Sequence, residues 1–145
     1  MTTPALSDAG ILLIDDSQAV RSVLSTLLRG LGVQRIYQCG EADEALVLAH
    51  TCRPDIVLVD YDLGACSGLD VIRSFRDPQA SPDPDLPVLL LGPLELPFLF
   101  EGAREAGASA ILPKPLNANT LGQSLMTVLA ARRARPEILS ASGLH

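Results

Sequence analysis

A chain of 145 residues, 48% hydrophobic and 19% charged, is long enough to bury one core of its own and is neither disordered nor fibrous in composition. Its net charge of −6 speaks against nucleic acid as a direct partner, because phosphate contacts need a basic patch. Its apolar runs are too short and too broken by Gly and Pro to span a bilayer, and its start, MTTPALSDAG, lacks a basic segment leading into an apolar one, so the cytoplasm is the expected compartment.

The apolar run Ile11-Leu12-Leu13-Ile14 reads as a strand buried on both faces. Asp16 or Ser17 can cap a helix over 18–30, whose Val20, Val23, Leu24, Leu27, Leu28 and Leu31 recur at helical spacing, with Gly30 and Gly32 as the stop. Residues 35–39 read as a second strand. Residues 41–52 read as a helix with Glu41, Asp43 and Glu44 in its first turn, where the helix dipole favours acids. Ile56-Val57-Leu58-Val59 makes a third buried strand that ends at Asp60. A loop over 61–68 leads to a short helix at 68–76. Residues 77–87, with four prolines, read as a loop. A fourth strand at 88–91, a helix at 97–106 with Pro97 near its first turn, a fifth strand at 109–112 and a last helix at 117–133 complete the pattern. Residues from Pro136 onward read as a frayed tail.

Strands alternating with helices imply an α/β fold with a doubly wound, five-stranded parallel sheet. Crossovers are right-handed, and sites form at the carboxyl ends of the strands. The single unit spans 9–134, between an N-terminal extension at 1–8 and a C-terminal tail at 135–145.

Cys39, Cys52 and Cys66 are odd in number and form no CxxC, so neither a disulfide framework nor a zinc site is indicated. His50 and His145 have no ligand spacing and fit a helix surface and a tail. The basic cluster Arg132, Arg133 and Arg135 sits where the last helix would end and complements its dipole.

Asp15 and Asp16 follow the first strand, Asp60 ends the third, and Lys114 lies just past the fifth. In a parallel sheet these positions share one edge, and the strand order 2-1-3-4-5 would let them converge. Three carboxylates in one cleft repel each other, and a divalent cation relieves this. An all-oxygen set suits Mg²⁺, which keeps several waters and favours a phosphate in its shell. A phosphoryl group on Asp60 would complete that shell, with Lys114 supplying positive charge to its oxygens. A single Asp after a strand is more often a cap or turn residue, and Asp16 can serve that way. Three acids and a lysine, spread over three strand ends, are not explained so.

The chain resembles the receiver domain of bacterial two-component response regulators over about residues 9–134. The resemblance rests on LLIDDS at Asp15-Asp16, on IVLVDYDLGACSG with Asp60 and Gly68, and on GASAILPKP with Lys114-Pro115. It implies a flavodoxin-like (βα)5 fold, order 2-1-3-4-5, and Asp60 as phosphoacceptor for a histidine kinase or phosphotransfer protein. It further implies Mg²⁺ held directly by Asp16 and Asp60, through water by Asp15, and by the backbone carbonyl of Asp62. Lys114 would contact the phosphoryl group, the Lys114-Pro115 bond would be cis, and Asp62 would tune the lifetime of the acyl phosphate. Slow self-dephosphorylation is expected, not enzymatic turnover.

The sequence departs from the family at several points. The usual Thr or Ser at the end of strand four falls on Gly92, and Pro93 after it lacks an N–H. The usual aromatic of strand five is Ile111, and Leu63-Gly64 stand where Met and Pro are common. These changes imply an intact phospho-site with an atypical switch at Gly92 and Ile111. The apolar stretch 92–100, with consecutive Phe98, Leu99 and Phe100, is either core with one residue exposed or a contact patch. As a patch it would serve a downstream protein target or a homodimer through the helix four, strand five and helix five face. With no helix-turn-helix or catalytic domain expected after 134, the resemblance is to a stand-alone regulator that signals through protein contacts.

Two other readings compete. One is a pseudo-receiver, an interaction module not controlled by phosphorylation, suggested by Gly92 and Ile111. The other is a phosphatase of the haloacid-dehalogenase type, with Asp60-Tyr61-Asp62 as its DxD. The position of Asp15-Asp16 ahead of the DxD, Gly64 after it and the lack of room for a cap oppose the phosphatase.

Overall fold

The structure is a computed structural model that describes residues 6–142 apart from 94 and 97, with side chains through 134. Five strands, β1 (Gly10–Ile14), β2 (Arg35–Cys39), β3 (Ile56–Asp60), β4 (Val88–Gly92) and β5 (Ala110–Pro113), form one sheet in the order β2-β1-β3-β4-β5. Every pairing is parallel, so all five carboxyl ends lie along one edge. The connecting helices are α1 (Gln18–Gly30), α2 (Ala42–Cys52), α3 (Gly68–Arg76), α4 (Leu99–Ala106) and α5 (Ala118–Ser142).

The central strands are buried at every position, as their unbroken apolar runs require. Alternate residues feed opposite layers. Leu12, Ile14, Val57, Val59, Val88 and Leu90 pack with Phe75 of α3 and with α2 and α4. Ile11, Leu13, Ile56, Leu58, Leu89 and Leu91 pack against α1 and against Leu121, Leu125 and Leu129, the i, i+4 stripe of α5.

Local signals set the helix ends. Ser17, not Asp16, caps α1 through the Val20 amide, which leaves Asp16 outside the cap. Gly32, at φ 101°, turns the chain out after α1. Glu41 is the N-cap of α2 but its side chain makes no capping bond. Ser67 and Asp70 form a full capping box at the start of α3.

Several boundaries differ from the sequence reading, most of them by a single residue. α4 begins at Leu99, two residues late, and Pro97 lies outside the described residues. β5 is displaced by one residue to Ala110–Pro113. α5 runs past the expected end at 133, through Pro136, to Ser142, so the segment read as a frayed tail continues the helix.

The edge opposite the carboxyl ends is tied by arginines. Arg76, at the end of α3, donates to the carbonyls of Gly107 (2.9 Å), Pro84 (2.9 Å) and Leu86 (2.6 Å). Arg132 pairs with Asp83 and so fastens α5 to the proline-rich loop, a role other than the helix-end complement read from the sequence. His50 lies exposed on α2, as expected. Phe98 and Phe100 are exposed at 81% and 68% while Leu99 between them is buried, so two of the three are outside the core.

Candidate functional site

The carboxyl-terminal edge of the sheet gathers the predicted residues. Asp60 is the last residue of β3, in register with Leu91 of β4, and only 6% exposed. Its Oδ1 accepts a 2.7 Å ion pair from Lys114 Nζ, which reaches in from beyond β5. The Lys114-Pro115 peptide is cis. Asp15, one residue past β1, is buried, and its Oδ1 accepts from the Ser17 amide at 2.8 Å. Its Oδ2 is buried with no hydrogen-bond partner. Burial raises the Asp15 carboxyl above the usual range, the Ser17 N–H opposes this, and the charges of Asp60 and then Asp16 add to the rise. Lys114 acts in the lowering direction.

Asp16 is exposed and its Oδ2 lies 3.2 Å from where a Cβ on Gly64 would stand, so it overhangs the loop after β3. In that loop the Asp62 carboxylate accepts from the Gly64 amide at 3.0 Å, and Leu63 turns into the core. The Asp62 side chain is therefore engaged within its own turn. The loop closes where Gly68 N–H donates to the Tyr61 carbonyl at 2.6 Å. A Cβ at Gly68 would meet the Asp60 carbonyl oxygen at 2.3 Å, so only glycine lets α3 start this close to the acceptor strand.

The donor set suits Mg²⁺. It is all oxygen, it contains an unsatisfied buried carboxylate oxygen on Asp15, and it is not a closed cage. Among the described residues no three His, Cys, Asp or Glu side chains form a ligand set by themselves. Mg²⁺ takes few carboxylates and retains several waters, which suits a small, open group of acids.

Gly92 ends β4 beside Asp60 and offers no hydroxyl. Ile111 is partly buried against the α2–α3–α4 side of the core. A side chain at 92 has no free space, since a Cβ there would lie 3.0 Å from Tyr61 Cβ and 3.2 Å from Leu99 Cδ2. The packing of Tyr61 over Gly92 was not visible in the sequence, because it joins positions 31 residues apart. Beside Lys114 and Pro115 an apolar groove of about 320 Å³ opens, lined by Val20, Val23, Leu27 and Leu116.

The family model for the response regulator receiver domain matches residues 11–126. The chain belongs to this family. Among curated relatives, the transcriptional regulatory protein PdtaR of Mycobacterium tuberculosis is 29% identical over 111 residues, 77% of this chain and 52% of that protein. The chemotaxis protein CheY of Pseudomonas aeruginosa is 26% identical over 115 residues, 79% of this chain and 91% of that protein. This receiver thus spans about half the length of PdtaR and nearly all of CheY. Among solved structures, the receiver domain of a sensor histidine kinase from Pseudomonas aeruginosa, with magnesium coordinated in its active-site cleft, superposes with a TM-score of 0.73 at 26% identity. That match covers 84% of this chain and 98% of the other. The fold is that of CheY-like receivers, and no helix among the described residues is long and apolar enough to cross a membrane.

Proposed function

We propose that this receiver, over residues 9–134, takes a phosphoryl group from a histidine kinase or phosphotransfer protein onto Asp60 and signals through protein contacts. The observation that carries the reading is the buried Asp60 carboxylate held 2.7 Å from Lys114 at the edge where Asp15 and Asp16 also gather. An Asp60 carboxylate oxygen attacks the donor's phosphorus in line. The new O–P bond forms as the bond to the donor's nitrogen or oxygen breaks, and the donor group leaves with that electron pair. Lys114 offsets the charge of the arriving oxygens.

Mg²⁺, when bound, would neutralise the phosphoryl oxygens and the clustered acids. Asp16, Asp60 and the Asp62 carbonyl would hold it directly, and Asp15 through water. The magnesium in the related kinase receiver supports this assignment. Asp62 tunes acyl-phosphate hydrolysis, in our reading, by shaping the loop through its bond to the Gly64 amide. The switch is atypical, because Gly92 and Ile111 supply neither hydroxyl nor aromatic ring. The apolar groove beside Lys114 suits the approach of a phosphodonor, and the exposed Phe98 and Phe100 suit a downstream partner or a second copy on the α4–β5–α5 face.

Incubation with Mg²⁺ and a small acyl phosphate tests the reading by intact mass. A phosphoryl gain is expected, lost in Asp60→Asn and on chelation. No gain refutes it and favours the pseudo-receiver that Gly92 and Ile111 suggest, and a gain that survives Asp60→Asn refutes Asp60 as the acceptor.

A further inference from the structure

Resting on Asp60 as the phosphoacceptor, we infer that Tyr61 couples the state of Asp60 to α4 by pressing on Leu99 across the bare backbone of Gly92. Tyr61 follows Asp60 directly, so any adjustment of the acceptor's backbone is an adjustment of Tyr61. Its N–H donates to the Leu91 carbonyl at 2.8 Å and its carbonyl accepts from Gly68 N–H at 2.6 Å. The residue is thereby fixed between the end of β4 and the start of α3, with little freedom to absorb a change locally.

Its side chain turns toward β4. The place a Cβ on residue 92 would take lies 3.0 Å from Tyr61 Cβ and 3.2 Å from Leu99 Cδ2, so both side chains pack on the Gly92 backbone. Glycine at 92 lets both side chains approach that backbone more closely than a Cβ would allow without a small shift of its neighbours. Leu99 is the first residue of α4 and is 4% exposed, and Tyr61 packs against the same core cluster. Side chains packed on one stretch of backbone feel each other's displacement through it, because a core has little slack to take it up.

The receiving element is poorly anchored. Phe98 is the N-cap of α4, its side chain makes no capping bond, and the helix has only eight residues. A start without such a cap leaves its first amides less well satisfied than Ser or Asp would. Leu99 is the buried residue of this helix's first turn, with exposed Phe98 and Phe100 on either side, so the start responds when that leucine is moved. The coupling therefore runs from acceptor to Tyr61 to Leu99 without a hydroxyl or an aromatic ring in β5.

The test follows amide exchange over Leu99–Ala106 before and after treatment with Mg²⁺ and a small acyl phosphate, with phosphoryl uptake read by mass on the same samples. A change in α4 exchange on phosphorylation is expected in the wild type and in Tyr61→Phe, which keeps the ring, and is expected to be lost in Tyr61→Ala despite normal uptake. Uptake without any change in wild-type α4 overturns the coupling and leaves the phosphoacceptor reading intact. A response that persists in Tyr61→Ala overturns it too. Absence of uptake in the wild type overturns both. Should Tyr61→Ala not unfold cooperatively, Leu99→Ala is read in its place, with loss of the response supporting the coupling and persistence refuting it.

Discussion

Asp15 has one carboxylate oxygen on the Ser17 amide and the other buried without a partner. Ionising it beside Asp60 and Asp16 costs stability that a cation would return. Asp15→Asn keeps the acceptor for Ser17 and removes the charge. It is expected to stabilise the metal-free protein by on the order of 1 kcal/mol, read as a higher melting temperature, while reducing the further rise that Mg²⁺ gives. Thermal unfolding with chelator and with Mg²⁺ checks this, and a lower melting point in chelator contradicts it. A second buried acid gives a sign for alkaline pH. Burial pushes the Cys39 thiol from 9.0 up to about 11. Above pH 9 the unfolded chain sheds this proton while the folded chain keeps it, so stability falls as pH rises through 9 and the loss levels off beyond about 11. Urea unfolding across that range should show a flatter pH dependence in Cys39→Ala than in the wild type.

The elements differ in how they are held. α3 begins with a complete capping box and ends in the Arg76 clasp, which satisfies three carbonyls from two loops. Replacing Arg76 with Met leaves three part-buried carbonyls without this donor, and the expected cost is about 2–4 kcal/mol, read as a lower urea midpoint with phosphoryl uptake unchanged. The start of α3 was legible, since Ser67, Gly68 and Asp70 are local signals. The clasp was not, because Arg76 meets partners 8 to 31 residues away and an arginine at a helix end looks like a dipole complement. The same holds for Arg132, whose partner Asp83 is 49 residues distant. The start of α4 was misplaced for a related reason. Pro97 is a general cue for a first turn, and the burial of Leu99 that fixes the boundary is tertiary.

At the scale of the molecule, the sheet order and the gathering of Asp15, Asp16, Asp60 and Lys114 were legible from one regularity. Apolar runs of four or five residues mark central parallel strands, and polar residues directly after them must share an edge. What sequence spacing could not convey is how space is shared there. Gly92 reads as a missing hydroxyl, and only the fold reveals that Tyr61 and Leu99 crowd the vacant position. The outermost strands carry a separate consequence. β2 places exposed Arg35 and Gln38 along one margin, and β5, four residues long, stops at Pro113, which has no amide hydrogen to offer. Neither margin is a good template for a sixth strand, so two copies of this chain meeting at high concentration would associate through helix surfaces and not by lengthening the ladder.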